Sequence, residues 1–589
     1  MMPVRMLPMG QGAVLLQCSS LAQVMALRAM LRADAAGNPT LSGIRDVVAA
    51  ARTVLVRCDS PATLERLKRL LAAATLPEQA AATGRLHTLA TVYDGDDLQE
   101  AARLAGLGPE ALRTWHSGQD WVAAFGGFAP GFMYLTPTDR ALALPRRDTP
   151  RTQVPAGSVA VAGEFSAVYP GPTPGGWQLL GHSTAVLWDA ARANPALIQP
   201  GDIVRFSPVR EIIALSSGTD PAQADPVQAE PAPAPPSQTE PLQTAGSTHL
   251  SGQFHGLHVV APGMFTIVQD LGRPGFAHLG VTGSGALDRA ALRRANRMVG
   301  NSTGTAATTH ATAGATHAAG AAALETVLAG LQLKAAGTHV LAVAGGPVAL
   351  RVEDEEGDQR PVPLDTPFVL RDGETITLLS AAGDGGFRSY VAVRGGFDLP
   401  QVLGSRATDV LSGLGPAPLR PGAFLPVAPS LRGSIVGFPE PAPPPPEDCT
   451  VLRYLPGPRQ DWFTSESVDS FENQEWGVDG QSNRVGLRLA GTPLVRAGSA
   501  DGTQSASQTG TSARAEPAPP AELPSEGMVE GALQVPPSGL PVLFLADHPV
   551  TGGYPVLGVV LAEDLGKAAQ LAPGARVRFI KVPVSSELG

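Results

Sequence analysis

The stretch PTPGGWQLLG (172–181) has a counterpart far downstream, PVTGGYPVLG (549–558). The likeness extends beyond the double glycine. VPAGSVAVAG (154–163) precedes the first copy and VPPSGLPVLF (535–544) the second; QPGDIVRF (199–206) follows the first and APGARVRF (572–579) the second. The order VP, GG-aromatic, PG, V-R-F is kept, and the spacings differ by about four residues, which surface loops absorb at little entropic cost. Two related β-barrels, one in each half, are predicted. Each GG pair has two readings. Adjacent glycines permit positive φ in a tight turn, with Trp177 or Tyr554 packed on the barrel wall; or they let a ligand approach backbone amides, which makes Gly175, Gly176, Gly552 and Gly553 candidate binding positions.

With 589 residues the chain is too long for one hydrophobic core. Its 43% hydrophobic and 16% charged residues and net charge of −10 describe a mildly acidic globular protein without the basic excess that nucleic-acid partners require. No apolar run approaches the roughly 18 to 20 residues of a membrane span, and the first residues lack a signal-peptide pattern, so a cytoplasmic location without membrane contact is expected. Cys18, Cys58 and Cys449 are far apart and unpaired by any CxxC, so they read as buried free thiols.

Composition marks the joints. The Pro-, Ala- and Gln-rich run 216–252 reads as a disordered linker. Similar runs at 301–321 and 496–520 read as insertions within a patterned domain, and His310 and His317 in the first lack the converging partners of a metal site. The resulting layout is an α/β subdomain (1–83), a barrel (84–215), the linker, a β-rich region (253–440) and a second barrel (441–589). Short apolar runs such as TVLVR, HVLAVAG and PVLFLA, bounded by Gly, Pro and Asp, indicate strands. Helical spacing appears near residue 61, through DLQEAARLAGLGPEALRTWHS from residue 97, and in SGALDRAALRRANRMVGN, where Ser284 is the candidate N-cap. The fold class is mainly β with α/β elements.

FGGFAPGFMYL, PRRDTPRTQVPAGSVAVAG and YPGPTPGGWQLLG in the first half resemble the B subunit of bacterial ATP-dependent 5-oxoprolinase, a family that includes a sporulation kinase inhibitor. VQDLGRPGFAHLGVTGSGALD, YLPGPRQDWF, NRVGLRL, ELPSEGMVEGALQVPPSG and ADHPVTGGYPVLG resemble the C subunit. Together they are similar to the carboxyltransferase domain of urea amidolyase, where both halves are likewise fused. The resemblance implies cyclophilin-like barrels, ATP and Mg²⁺ as cofactors, a partner like the 5-oxoprolinase A subunit and a small-molecule substrate; homo-oligomer formation stays open. Its implied activity is activation of the 5-oxoproline amide oxygen by phosphoryl transfer, with hydrolysis to glutamate completed by the separate partner. A biotin-dependent carboxyltransferase or allophanate-hydrolase component and a histidine-kinase regulator are the alternatives. Three places depart from the family pattern: His182 follows the first GG segment in place of Arg, EFSAVYP replaces the usual QTG run, and ADHPVTGG replaces Asp-Arg-Gln.

Such chemistry needs preorganised donors facing developing negative charge. Arg147 and Arg151 flank a Pro-restricted strand entry, and Gly157 and Ser158 can offer backbone amides; alternatively the arginines pair with surface carboxylates such as Asp148. His116, ahead of the glycine-rich GGFAPGF loop, is a candidate proton carrier or a structural histidine. In the second half, Asp270, Arg273 and Asp288 suggest a charged cluster. Arg484, Glu522, Ser525, Glu526, Gln534 and Asp547 supply further polar groups for proton transfer or phosphate orientation. No residue set reads as a metal site. No GxxxxGK[ST] loop or kinase signature is present. None of the lysines, Lys68, Lys334, Lys567 and Lys581, has the neighbouring Met of a biotin carrier. A complete urea carboxylase is therefore excluded, while a detached carboxyltransferase component is not.

Overall fold

The computed structural model describes residues 4–35, 41–73, 84–147, 149, 151–211, 255–304, 319–380, 386–441, 448–497 and 523–583. The linker run 216–252 and most of both low-complexity insertions lie outside these residues.

The N-terminal strands Arg5–Pro8, Ala13–Gln17, Thr53–Cys58 and Ile44–Ala49 form an antiparallel sheet in that order. Alternation along its strands sends side chains to opposite faces. Val14, Leu16, Val54 and Val56 pack with Leu27 and Leu31 of helix Leu21–Ala35 and with first-barrel residues such as Phe132 and Trp177. Ala13, Leu15 and Leu55 pack instead on Met528, Phe544 and Val559 of the second barrel. With both faces covered, the strands read as continuous apolar runs, AVLLQ and TVLVRC. The sheet is a wedge between the barrels.

The duplication extends to topology. The first barrel sheet runs Gln178–His182, Ser158–Ala162, Phe165–Val168, Met133–Pro137, Asp120–Gly126, Ile203–Pro208, Leu86–Thr91. The second runs Val556–Val560, Ala532–Gln534, Val542–Phe544, Gly486–Ala490, Trp476–Val478, Arg576–Lys581, Cys449–Pro456. Strand for strand, the connectivity is the same. Each has one parallel ladder, Ile203–Pro208 with Leu86–Thr91 and Arg576–Lys581 with Cys449–Pro456. The second barrel closes through a ladder between Cys449–Pro456 and Val556–Val560. The first closes through the single bridge Val92↔His182.

The helical pattern from residue 97 resolves into two helices, Leu98–Leu104 and Pro109–Ser117. Gly106 takes φ +67°, and Pro109 starts the second helix where its missing N–H costs nothing. In the second barrel Trp476 Nε1 donates to Phe471 O, and in the first Trp121 Nε1 donates to His116 O, each across five residues. Phe471 stacks on Phe579 as His116 packs on Phe206. His116 thus occupies a core-aromatic position of the barrel.

Between the barrels in sequence lie a six-stranded and a five-stranded antiparallel sheet, packed through Leu257, Leu333, Leu341, Val343 and Val391. Helix Arg289–Met298 lies on the second of these. Its cap is Asp288, whose Oδ1 accepts from Ala291 N at 2.9 Å, and not Ser284. Ser284 stands at φ +49° and donates to Asp547 Oδ1 at 2.6 Å. It belongs to the seam between this region and the second barrel. There Arg484 donates to Asp547 Oδ1 and Oδ2 (3.0 and 2.9 Å), Glu325 Oε1 and the Gly285 carbonyl, while Tyr390 donates to Glu325 at 2.7 Å.

Two measurements check this architecture. Limited proteolysis is expected to cut first within 216–247, leaving fragments that co-elute on size exclusion because the N-terminal sheet packs on the second barrel; first cleavage inside VPAGSVAVAG contradicts the layout. His116→Phe, which copies the second barrel, is expected to retain turnover and lose about 1–3 kcal/mol of stability, the cost of losing the hydrogen bonds to Tyr93 and Ser166. Loss of turnover with an intact fold would restore His116 to the chemistry.

Candidate functional site

The open end of the first barrel gathers the charged residues around its GG turn. Strand Thr173–Gly175 pairs with Arg151–Val154, placing Gly175 opposite Arg151, and Arg147 N donates to Gly176 O at 2.8 Å. Both arginines converge on Asp97. Arg151 Nη1 and Nη2 donate to its two oxygens at 2.8 and 2.9 Å, Arg147 Nη1 donates to Oδ1, and Leu179 N donates to Oδ2 at 2.9 Å. Burial pushes the Asp97 carboxyl up, but the Arg151 and Leu179 hydrogen bonds and the two guanidinium charges outweigh it and hold it below the usual carboxylate range. The partner of these arginines is thus Asp97; Asp148 lies outside the described residues.

This cluster is incompletely satisfied. Among the described residues, Arg147 Nε, Thr173 Oγ1 and Gln178 Oε1 are buried polar atoms without a hydrogen-bond partner. Gln178 is 3% exposed, and its Nε2 donates to Pro145 O. Unpartnered buried groups are uncommon in folded proteins, and three along one turn mark a place where a ligand can supply the partners. The arginine side chains stay accessible, Arg147 at 35% and Arg151 at 19%. Arg146 beside them is exposed. The set offers charge-assisted donors to anionic oxygens and an amide oxygen to an N–H.

The GG pairs themselves correct one reading: Gly175, Gly176, Gly552 and Gly553 have no positive φ. Close approach is what limits the first glycine of each pair, most firmly Gly175. A Cβ at Gly175 would collide with the Tyr169 hydroxyl, and one at Gly552 with Gln534 Nε2. Trp177 packs against Phe132 and Tyr134 as expected, whereas Tyr554 is 43% exposed. Gly157 and Ser158 do not present bare amides. Gly157 N donates to Tyr169 O and Ser158 N to Pro155 O, and the positive φ of Gly157 fits it to a turn against Ser183 O.

His116 is fully buried, with Nδ1 on the Tyr93 hydroxyl and Nε2 on Ser166 Oγ, both at 2.8 Å. Burial pushes its pKa down to about 3, so the ring stays neutral and walled in by Trp121 and Phe206. That geometry suits a core residue and not a proton carrier. His182, where the family pattern has Arg, pairs with Asp94 at 2.8 Å.

In the second half Asp270 and Arg273 lie close enough to interact electrostatically, while Asp288 stands apart from them, and each makes its hydrogen bonds elsewhere. Asp270 accepts from Gly272 N, Ser405 Oγ and Arg406 N; Arg273 donates to the Val402 and Ala407 carbonyls; Asp288 caps its helix and accepts from Gln570. Arg484 and Asp547 are together, but sealed in the seam at 3% and 0% exposure. Glu526 pairs with Arg459, and burial raises its carboxyl despite that partner. Gln534 Nε2 donates to Tyr554 O at 3.2 Å beside Gly552. Ser525 O accepts from Ala51 N of the N-terminal sheet, so this face is covered. Glu522 lies outside the described residues. Asp97, Thr173 and Gln178 carry no sequence signal of comparable strength; the nearest is the acidic run YDGDD (93–97) directly after a strand. Among the described residues no group of three or more His, Cys, Asp or Glu is arranged to hold a metal, and no helix is long and apolar enough to cross a membrane.

Comparison with known proteins places this geometry. The chain matches the carboxyltransferase domain, subdomains C and D, over residues 4–198 and subdomains A and B over residues 311–581. It is 32% identical to the C subunit of 5-oxoprolinase from Escherichia coli K12 over 56% of this chain and 93% of that protein. It is 41% identical to the B subunit of the same enzyme from Escherichia coli O157:H7 over 27% of this chain and 74% of that one. Urea amidolyase of Lachancea kluyveri is 29% identical over 56% of this chain but only 17% of its own length. The crystal structure of TTHA0988 in space group P212121 superposes with a TM-score of 0.73 at 31% identity, covering 96% of this chain and 99% of that one. With counterparts of the B and C subunits in one polypeptide and two barrels of one topology, the chain belongs to the carboxyltransferase-domain family that includes those two components of 5-oxoprolinase.

Proposed function

We propose that this protein is the fused B–C component of an ATP-dependent 5-oxoprolinase, acting with a separate protein like the A subunit of that enzyme, and that the first-barrel GG turn is its ligand site. The observation that carries the reading is the unsatisfied set Arg147 Nε, Thr173 Oγ1 and Gln178 Oε1 beside the Arg147–Asp97–Arg151 cluster. 5-Oxoproline bears a carboxylate, a lactam carbonyl and an N–H. Gln178 Oε1 accepts an N–H, Thr173 either donates or accepts, and the guanidinium groups meet anionic oxygens.

The same donors fit phosphate oxygens, so Arg146, Arg147 and Arg151 are the residues that would hold the nucleotide. The described residues offer no carboxylate constellation for Mg²⁺. The ion fits this chain only as one carried by the phosphates, where it offsets charge on the transferring group. An unstrained lactam resists water, and phosphorylation of its oxygen supplies the activation that hydrolysis on the partner would need. The chain's part is to bind and orient the lactam and hold its anionic oxygens. The urea amidolyase likeness supports a second reading, a carboxyltransferase component acting on urea-like amides.

The chain mixed with its A-type partner is expected to convert 5-oxoproline to glutamate only with ATP and Mg²⁺, with no response to avidin or bicarbonate. ATP turnover that appears only with urea, bicarbonate and a biotinylated partner would establish the second reading instead. Arg151→Lys keeps the charge but loses the fork that grips both Asp97 oxygens. Steady-state assays should show at least about a tenfold loss of kcat/KM with the fold intact; unchanged turnover would reduce Arg151 to a structural ion-pair partner.

A further inference from the structure

The two barrels provide an internal control for the first-barrel site. In each, the loop after the first barrel strand crosses the strand that follows the GG turn. Gly95 N donates to Leu180 O and Asp97 N to Leu179 O; in the second barrel Gly457 N donates to Leu557 O and Arg459 N to Val556 O. A Cβ at Gly95 would strike Leu179 O, and one at Gly457 would strike Val556 O. Asp97 and Arg459 therefore occupy the same position. So do Arg151, opposite Gly175, and Glu526, opposite Gly552. The first barrel joins Asp97 to Arg151; the second joins Arg459 to Glu526 with the charges exchanged.

The barrel therefore tolerates either sign, and the sign in the first barrel calls for an explanation beyond folding. Surroundings differ as well. The second pair is closed, with side chains 8% and 3% exposed, Gly527 packed on Leu55 and Thr551 against Gly127. The first pair is accessible, has Arg147 as a second cation on the same carboxylate, and borders the three unpartnered polar atoms.

We propose that Asp97 is the positioning residue of the first-barrel site. It grips Arg151 through both oxygens and Arg147 through one, aiming their remaining N–H groups at the ligand, and the sign of the pair makes the site select a carboxylate or phosphate. The identity of the substrate rests on the 5-oxoprolinase reading; the anion class does not. The exchange Asp97→Arg/Arg151→Glu copies the second barrel and, with Arg147 retained, leaves the local net charge unaltered.

The double variant is expected to unfold near the wild-type Tm while its KM for 5-oxoproline rises at least about tenfold and calorimetric binding of pyrophosphate is lost. Asp97→Asn, which keeps the shape and the Leu179 contact, gives a second measure should the exchange fail to fold. Its KM should rise and its pyrophosphate affinity fall by several-fold, with kcat changed less. Wild-type KM and pyrophosphate affinity in either folded variant would overturn the positioning role. Absence of pyrophosphate binding to the wild-type protein would overturn the anion class. If wild-type protein binds pyrophosphate but does not turn over 5-oxoproline, the substrate reading fails while the exchange still tests Asp97.

Discussion

In each barrel the loop leaving the first strand passes so close to the strand behind the GG turn that only glycine fits at the crossing, Gly95 in one copy and Gly457 in the other. That approach carries a side chain two residues on, Asp97 or Arg459, against the residue paired with the turn, Arg151 or Glu526. Charge of one sign at either place demands charge of the other, because an isolated ion there would lose its hydration without compensation. The ion pair follows from barrel topology, and what the chain does with it follows from how far each copy is opened to solvent.

The N-terminal sheet decides that difference. One of its faces joins the helices and first-barrel aromatics, the other covers the second barrel, and Ala51 and Leu55 meet the strand that bears Glu526. The seam around Arg484 completes the enclosure from the other side. There burial alone would lower the guanidinium's pKa, but Asp547 and Glu325 more than reverse it and keep the group charged. These buried networks fix how the parts fit together, while the cluster at the first GG turn stays accessible to solvent.

The duplication is legible because it is written locally. GG-aromatic, PG and V-R-F fall within turns and single strands, where sequence order and spatial order coincide. Asp97 is not legible, since its partners lie fifty and fifty-four residues away and meet it only when the barrel closes. His116 carries a chemical reputation that its burial removes, and the telling comparison, Phe471, needs the register of the second barrel. Ser284 looks like a helix cap by composition; the chain instead takes it to positive φ to reach Asp547, leaving the cap to Asp288. Adjacent glycines suggest positive φ, whereas the constraint at Gly175 is steric and comes from Tyr169. Each misreading arises where a contact distant in sequence decides the role of a residue with a strong local preference.

The inverted pairs also bear on why one copy is accessible and the other covered. Covering an ion pair removes water from both charges, and the raised Glu526 carboxyl shows that Arg459 does not fully compensate for that loss. In the first barrel, burial pushes the Asp97 carboxyl up, and the Arg151 and Leu179 hydrogen bonds with the two guanidinium charges hold it below the usual carboxylate range. Two guanidinium groups share the Asp97 carboxylate, and Arg151 also lies 3.7 Å from the exposed Asp96. Among the described residues, the Glu526 carboxylate of the second barrel has Arg459 as its one ion-pair partner. Reversing the sign and covering the pair go together: the accessible pair is the one whose carboxylate two guanidinium groups share, and the pair with a single partner on each side is the one that is buried.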